Sequence, residues 1–138
     1  MNTSIIKELD GPIIILGASG FIGANLYKKI STIRSDVFAV VRQEKSWRLK
    51  DAPDNKVVAV DLNDYSAVKH LLASVQPKTI FDLTSYGAYS FEKDINRIYQ
   101  TNFQALVHLV SELSTKNISA YIHAGSSSEY GTNSSAPE

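Results

Sequence analysis

The 138-residue sequence contains no cysteine. It therefore has neither a disulfide framework nor a thiolate to serve as nucleophile or metal ligand. It also lacks net charge, because 14 Lys and Arg balance 14 Asp and Glu. That balance gives no basis for a nucleic-acid groove or for attraction to an anionic membrane. No apolar run approaches the length that spans a bilayer. The opening stretch MNTSIIKELDG carries two acids and no long apolar core, unlike a secretory signal. Histidine is scarce: His70, His108 and His123 fall in different predicted elements, so a metal centre has little support. His123 alternates with Tyr121 in a predicted strand, where a satisfied core role is the simpler account. The expectation left by these absences is a soluble, cytoplasmic protein. What is present is 43% hydrophobic residues, enough for one domain with a real core and too many for a disordered chain.

The apolar residues come in two patterns. Ile13 to Leu16 form a continuous run between Pro12 and Gly17, as in a strand buried on both faces. Similar runs occupy Asp36–Arg42, Lys56–Asp61, Lys78–Ser85 and ISAYIHAG. Between them the period becomes helical. Phe21, Ile22, Leu26 and Ile30 define one apolar side, and Val68, Leu71, Leu72 and Val75 a second. Asn63 or Asp64 is placed to cap that second helix. A long helix is predicted from about Asp94 to Thr115, burying Ile98, Phe103, Leu106, Val107, Val110 and Leu113. EKSWRLKDAPDN reads as loop with a helical turn. Strands that are hydrophobic throughout and alternate with crossovers predict a doubly wound parallel sheet. Right-handed crossovers with one reversal give the order 3-2-1-4-5. The expected division is an extension over 1–12, the α/β domain over 13–131 and a polar tail or truncated loop over 132–138.

GASGFIG places Gly17, Gly20 and Gly23 three apart, after the first strand and at the start of the first helix. Gly17 permits a tight turn, Gly20 lets backbone approach a pyrophosphate, and Gly23 lets helix and sheet pack closely. Ser19, Phe21 and Ile22 complete a loop whose N–H groups suit the phosphates of a dinucleotide. A turn without a ligand would leave Gly23 inside a helix unexplained. A mononucleotide P-loop is excluded, since Ala24-Asn25 follow the last glycine where Lys-Ser/Thr is needed.

The end of the second strand usually presents a carboxylate to the adenosine ribose. Here Arg42 stands there. A guanidinium pairs with a 2′-phosphate, so Arg42 points to NADP, with NAD the second choice. Arg48 or Lys50 can add to it if the loop folds back; the plainer reading of Arg42 is a solvated strand-end charge. Asp61 and Leu62, ending the third strand, can meet the adenine edge, although an aspartate there is also an ordinary cap.

GASGFIG, VVAVDL, FDLTS, YQTNFQALVHLV and YIHAGSSSEYG together resemble, in order, the extended short-chain dehydrogenase/reductases. The closest flavour is their NAD(P)-dependent nucleotide-sugar epimerase/dehydratase group, including 4-keto-deoxysugar reductases. The resemblance spans nearly the whole chain and implies a Rossmann-type fold. It implies that Ser126, four residues before Tyr130, is the catalytic serine, and that Ser127, Ser128 and Tyr86 line the sugar pocket. It puts Leu83, Thr84 and Ser85 beside the nicotinamide ribose, and Asn102 near the cofactor or in a structural role. Two departures are Ala105, where glycine is frequent, and Asp82, where histidine is common. The alternative for the serine cluster is a polar turn capping the strand.

Serine is a poor base, and hydride transfer at an alcohol or ketone needs a proton group within reach. The family's tyrosine–lysine pair belongs downstream of the serine, and the chain stops short of it. Tyr65 with Lys69 and Tyr89 with Lys93 share its spacing but precede Ser126, the wrong order for the family. The expectation is thus the N-terminal, cofactor-binding part of an oxidoreductase, lacking a sixth strand and C-terminal lobe and inactive alone. Its exposed fifth strand invites a homodimer. The other readings are an NADP-binding sensor without chemistry and an interaction protein without a ligand.

Overall fold

The computed structural model describes residues 3–43, 46–126 and 131. Five parallel strands form one sheet: β1 (Ile13–Leu16), β2 (Val37–Val41), β3 (Val57–Ala59), β4 (Thr79–Asp82) and β5 (Ala120–His123). Their order is β3-β2-β1-β4-β5, the predicted doubly wound arrangement of a Rossmann-type fold. β1 is central, with Ile13 beside Val37 on one flank and Thr79 on the other. Its four side chains are all 0% exposed, which is why the run is apolar without alternation. Each such side chain contributes roughly 1.5–3 kcal/mol relative to exposure, an upper bound set by the unfolded reference.

The sheet divides the core into two layers. Ile13 and Ile15 face a layer that contains Ala24, Tyr27 and Ile30 of α2 (Phe21–Ser31). Ile14, Leu16 and Ile80 face α3 (Tyr65–Val75) and α5 (Ala105–Leu113), through Val68, Leu71, Leu72, Leu109 and Leu113. Asp64 caps α3, its side chain accepting from the Ala67 N–H at 3.0 Å.

Three local features depart from the sequence pattern. Residues Thr3–Glu8 form a short helix, α1, whose Ile6 is fully buried in the first layer. Arg34 holds it by donating to the Ile6 and Leu9 carbonyls while pairing with Asp36. In α2, Phe21 and Ile22 are exposed, at 74% and 64%. The buried side is instead Gly23, Ala24, Tyr27 and Ile30, whose small first members admit the helix close to the sheet. The long helix is interrupted: α4 (Ile95–Tyr99) runs into a wider π-type turn over Gln100–Gln104 before α5. One extra residue in a turn rotates the following face by about 100°. Ala105, Leu109 and Leu113 therefore meet the core, and Phe103, Val107 and Val110, predicted to be buried, are exposed.

β5 pairs only with β4 among the described residues, leaving Ile122 and His123 exposed. No helix among the described residues is long and apolar enough to cross a membrane.

Candidate functional site

The strand order reverses between β1 and β4, and a cleft of about 850 Å³ opens above the strand ends there. Its floor and walls come from segments that follow β1, β2, β3 and β4. Gly17 turns the chain out of β1 with φ +73°, a region that L side chains avoid. A Cβ there would also lie 2.6 Å from the Leu83 carbonyl oxygen, so the turn must be glycine to pass β4. Gly20 sits at the N-cap of α2, and no side chain among the described residues caps that terminus. Its first N–H groups thus face the cleft beside Ser19, Gly20, Phe21 and Ile22, all of which line it. Gly23 does not line the cleft. An added Cβ would run into the Gly17 carbonyl, so its role is close packing.

Of the other predicted cofactor residues, Arg42, Asp61, Leu62, Leu83, Thr84 and Ser85 line the cleft, as does Tyr86. Asp61 is also engaged locally: its Oδ1 accepts from the Asn63 backbone N–H at 3.0 Å and side-chain amide at 2.9 Å. Asn102 lies outside the lining. Its Oδ1 accepts from the Tyr86 N–H at 2.9 Å and its Nδ2 donates to the Tyr86 carbonyl at 2.7 Å, so it acts on the cleft by fixing Tyr86. Glu92 shapes the same loop, accepting from the Gly87 and Tyr89 N–H groups, and lines the cleft with Tyr89. Ser126 is described and exposed but is not in the lining, whereas Ser127 and Ser128 lie outside the described residues.

Beneath the cleft lies a carboxylate that strand patterning does not single out. Asp82, 1% exposed, ends β4 opposite His123 of β5. Its Oδ1 accepts from the Thr84 N–H at 3.1 Å and from Thr84 Oγ1 at 2.5 Å. Its Oδ2 accepts from the Tyr121 hydroxyl at 2.8 Å and lies 3.2 Å from His123 Nδ1. Burial, then the hydrogen bond to Asp82 and its charge, push the Tyr121 phenol well above its ordinary pKa. His123 is thus satisfied by Asp82, but at 40% side-chain exposure it is no core residue. The two tyrosine–lysine pairs stay apart from this knot. Tyr65 donates to Glu112 with Lys69 Nζ 4.4 Å from its ring centroid, joining α3 to α5 on the surface. Tyr89 stacks on Phe91. Among the described residues no three His, Asp or Glu side chains are grouped to hold a metal ion.

A glycine turn, an uncapped helix terminus and a cleft at the strand reversal define a dinucleotide-binding Rossmann domain. Residues 13–138 match the model of the NAD dependent epimerase/dehydratase family, and the chain belongs to that family. Protein CapI of Staphylococcus aureus is 26% identical over 136 residues, an overlap of 91% of this chain and 40% of CapI. Among solved structures, the epimerase Mth375 of Methanothermobacter thermautotrophicus superposes with a TM-score of 0.81 at 17% identity, covering 99% of this chain and 42% of its own. Bordetella bronchiseptica WbmG, in complex with NAD and UDP, gives 0.77 at 17% identity, covering 90% and 40%. The chain therefore spans about two fifths of the length of these relatives.

The expectation of NADP is overturned. The family is described as NAD dependent, and WbmG holds NAD. Arg42 is an exposed side chain at the end of β2, and such a guanidinium can lie on an adenine face as readily as pair with a 2′-phosphate. A strand-end arginine alone is therefore not diagnostic of the phosphate.

Proposed function

We propose that this chain is the NAD-binding part of an enzyme that acts on a nucleotide-activated sugar. The observation that carries the reading is the uncapped N-terminus of α2 opening into the cleft at the strand reversal, with Gly17 and Gly20 keeping the approach clear. The N–H groups of Ser19, Phe21 and Ile22 suit the diphosphate, while that of Gly20 donates to the Gly17 carbonyl at 3.0 Å and holds the turn. Asp61 and Leu62 border the adenine side, and Thr84 and Ser85 the nicotinamide ribose. Bound nicotinamide supplies a hydride acceptor or donor. The sugar substrate rests on family membership and on the UDP in WbmG. Ser126, three residues beyond the β5 end, is the residue assigned to orient the sugar oxygen. The domain proper is assigned to 13–131, with α1 docked against it. Turnover also needs a proton group at the serine. Neither Tyr65, engaged with Glu112, nor Tyr89, stacked on Phe91, supports that role, so the chain alone is expected to bind without turning over.

Isothermal titration of the 138-residue chain with NAD⁺ tests the reading. Saturable one-to-one binding is expected. A chain that gives a cooperative melt and yet shows no heat with NAD⁺ would sink the proposal and favour the interaction-protein reading.

A further inference from the structure

The segment after β2 folds back onto the glycine loop, and one cation travels with it. Trp47–Leu49 form a single 3₁₀ turn. Leu49 is 1% exposed and anchors the turn in the core layer under α2. The Ser46 carbonyl accepts from the Leu49 N–H at 2.8 Å, and Ser46 Oγ from the Arg48 N–H at 3.3 Å. Arg48 is thereby presented from a fixed base. Its guanidinium stacks on the Trp47 ring, with Cζ 4.6 Å from the centroid, and Nη1 donates to the Ser19 carbonyl at 3.4 Å. Among the described residues, Arg48 makes no carboxylate pair. A half-buried guanidinium stacked on one side and tied to the loop by one nitrogen still has donors to offer. Ser19 is the residue before Gly20, the N-cap of α2.

We infer that Arg48 is a binding residue for the dinucleotide's diphosphate, reaching it across the glycine loop from Ser19. The inference rests on the NAD reading above and adds a contact outside the glycine motif. The physical case is complementarity. A diphosphate at the α2 N-terminus brings charge that backbone N–H groups solvate only in part, and a planar guanidinium donates to phosphate oxygens in a fixed fork. Its tether to Ser19 and its stacking on Trp47 limit the side-chain freedom to be lost on binding.

The test titrates the full chain, wild type and Arg48→Gln, with NAD⁺, ADP and adenosine. The expected result is a loss of about tenfold or more for NAD⁺ and ADP, the size of one charge-assisted contact, with adenosine unchanged. Arg48→Lys keeps the charge and is expected to recover part of the ADP affinity. It also serves if the glutamine variant does not fold. Trp47, the only tryptophan, gives a second readout: ADP should change its emission in the wild type, and adenosine should not. Unchanged ADP affinity in Arg48→Gln overturns the inference. So does an equal loss for adenosine, which would mean that Arg48 only shapes the turn. Failure of the wild type to bind NAD⁺ or ADP sinks the NAD reading itself, and is seen without any variant.

Discussion

A methyl group added at Gly23 would collide with the Gly17 carbonyl and come within 2.8 Å of the Ala18 Cα. Neither neighbour is a flexible side-chain end, so the helix itself must move. Gly23→Ala is expected to cost about 1–3 kcal/mol, read as a lower denaturant midpoint. The need for glycine here was legible from its spacing alone. The Asp82 knot was not, because it exists only once β4 and β5 pair in the register that sets Asp82 beside His123. Sequence marked Asp82 only as a departure from a frequent histidine. Tyr121 makes the knot testable. Its phenol keeps its proton in the folded chain far above the pH at which an unfolded tyrosine loses it. The stabilisation is complete below the unfolded value of 10.0 and declines as pH rises beyond it. Urea midpoints measured between pH 9 and 11.5 should fall more steeply for the wild type than for Tyr121→Phe. Parallel curves would remove Tyr121 from the account.

At the scale of elements, strands were more legible than helices. Continuous runs such as Ile13–Leu16 mark strands buried on both faces whatever their partners are. Helix faces depend on details outside the local pattern. The apolar residues Phe21 and Ile22 look like core but border the cleft, and the π-type turn at Gln100–Gln104 shifts the phase of everything after it. α1 was missed because one buried side chain, Ile6, gives no period, and its anchor, Arg34, lies 28 residues away. Arg34 hydrogen-bonds Asp36 and, with its charge, holds that carboxyl below the ordinary carboxylate range. This stabilisation is present above the unfolded value of 3.8 and is lost as pH falls through the folded pKa. Because Asp36 is 39% exposed, the whole effect should be modest, roughly 0.5–1 kcal/mol. Asp36→Asn should lower the melting temperature at pH 7 and flatten the acid limb below pH 4. Faster amide exchange confined to residues 3–8 would locate the loss in α1.

For the whole molecule, the topology was read correctly because continuous hydrophobic strands and crossovers admit few alternatives. The cofactor was read wrongly because a single exposed arginine carries little information about a phosphate that need not be there. Among the described residues the sheet also ends in an edge at β5. β5 leaves Ile122 41% exposed. An unpaired apolar edge strand is a template for another chain. We expect the sedimentation coefficient of the isolated chain to rise with concentration. Ile122→Lys should return it to the monomer, whereas Phe103→Ser, on the exposed face of the long helix, should not. The opposite pattern would move the contact from the sheet edge to the helix.

The central place of β1 also constrains the order of assembly. Its first partner, Val37–Val41, follows within one helix-length of chain, but its second, Thr79–Asp82, is made only after α3 is complete. During synthesis the middle strand of the finished sheet is therefore an open edge for some forty residues of translation after β2, the interval between Val41 and Asp82. The strand that is most protected in the finished protein is thus among those left half-paired while it is made.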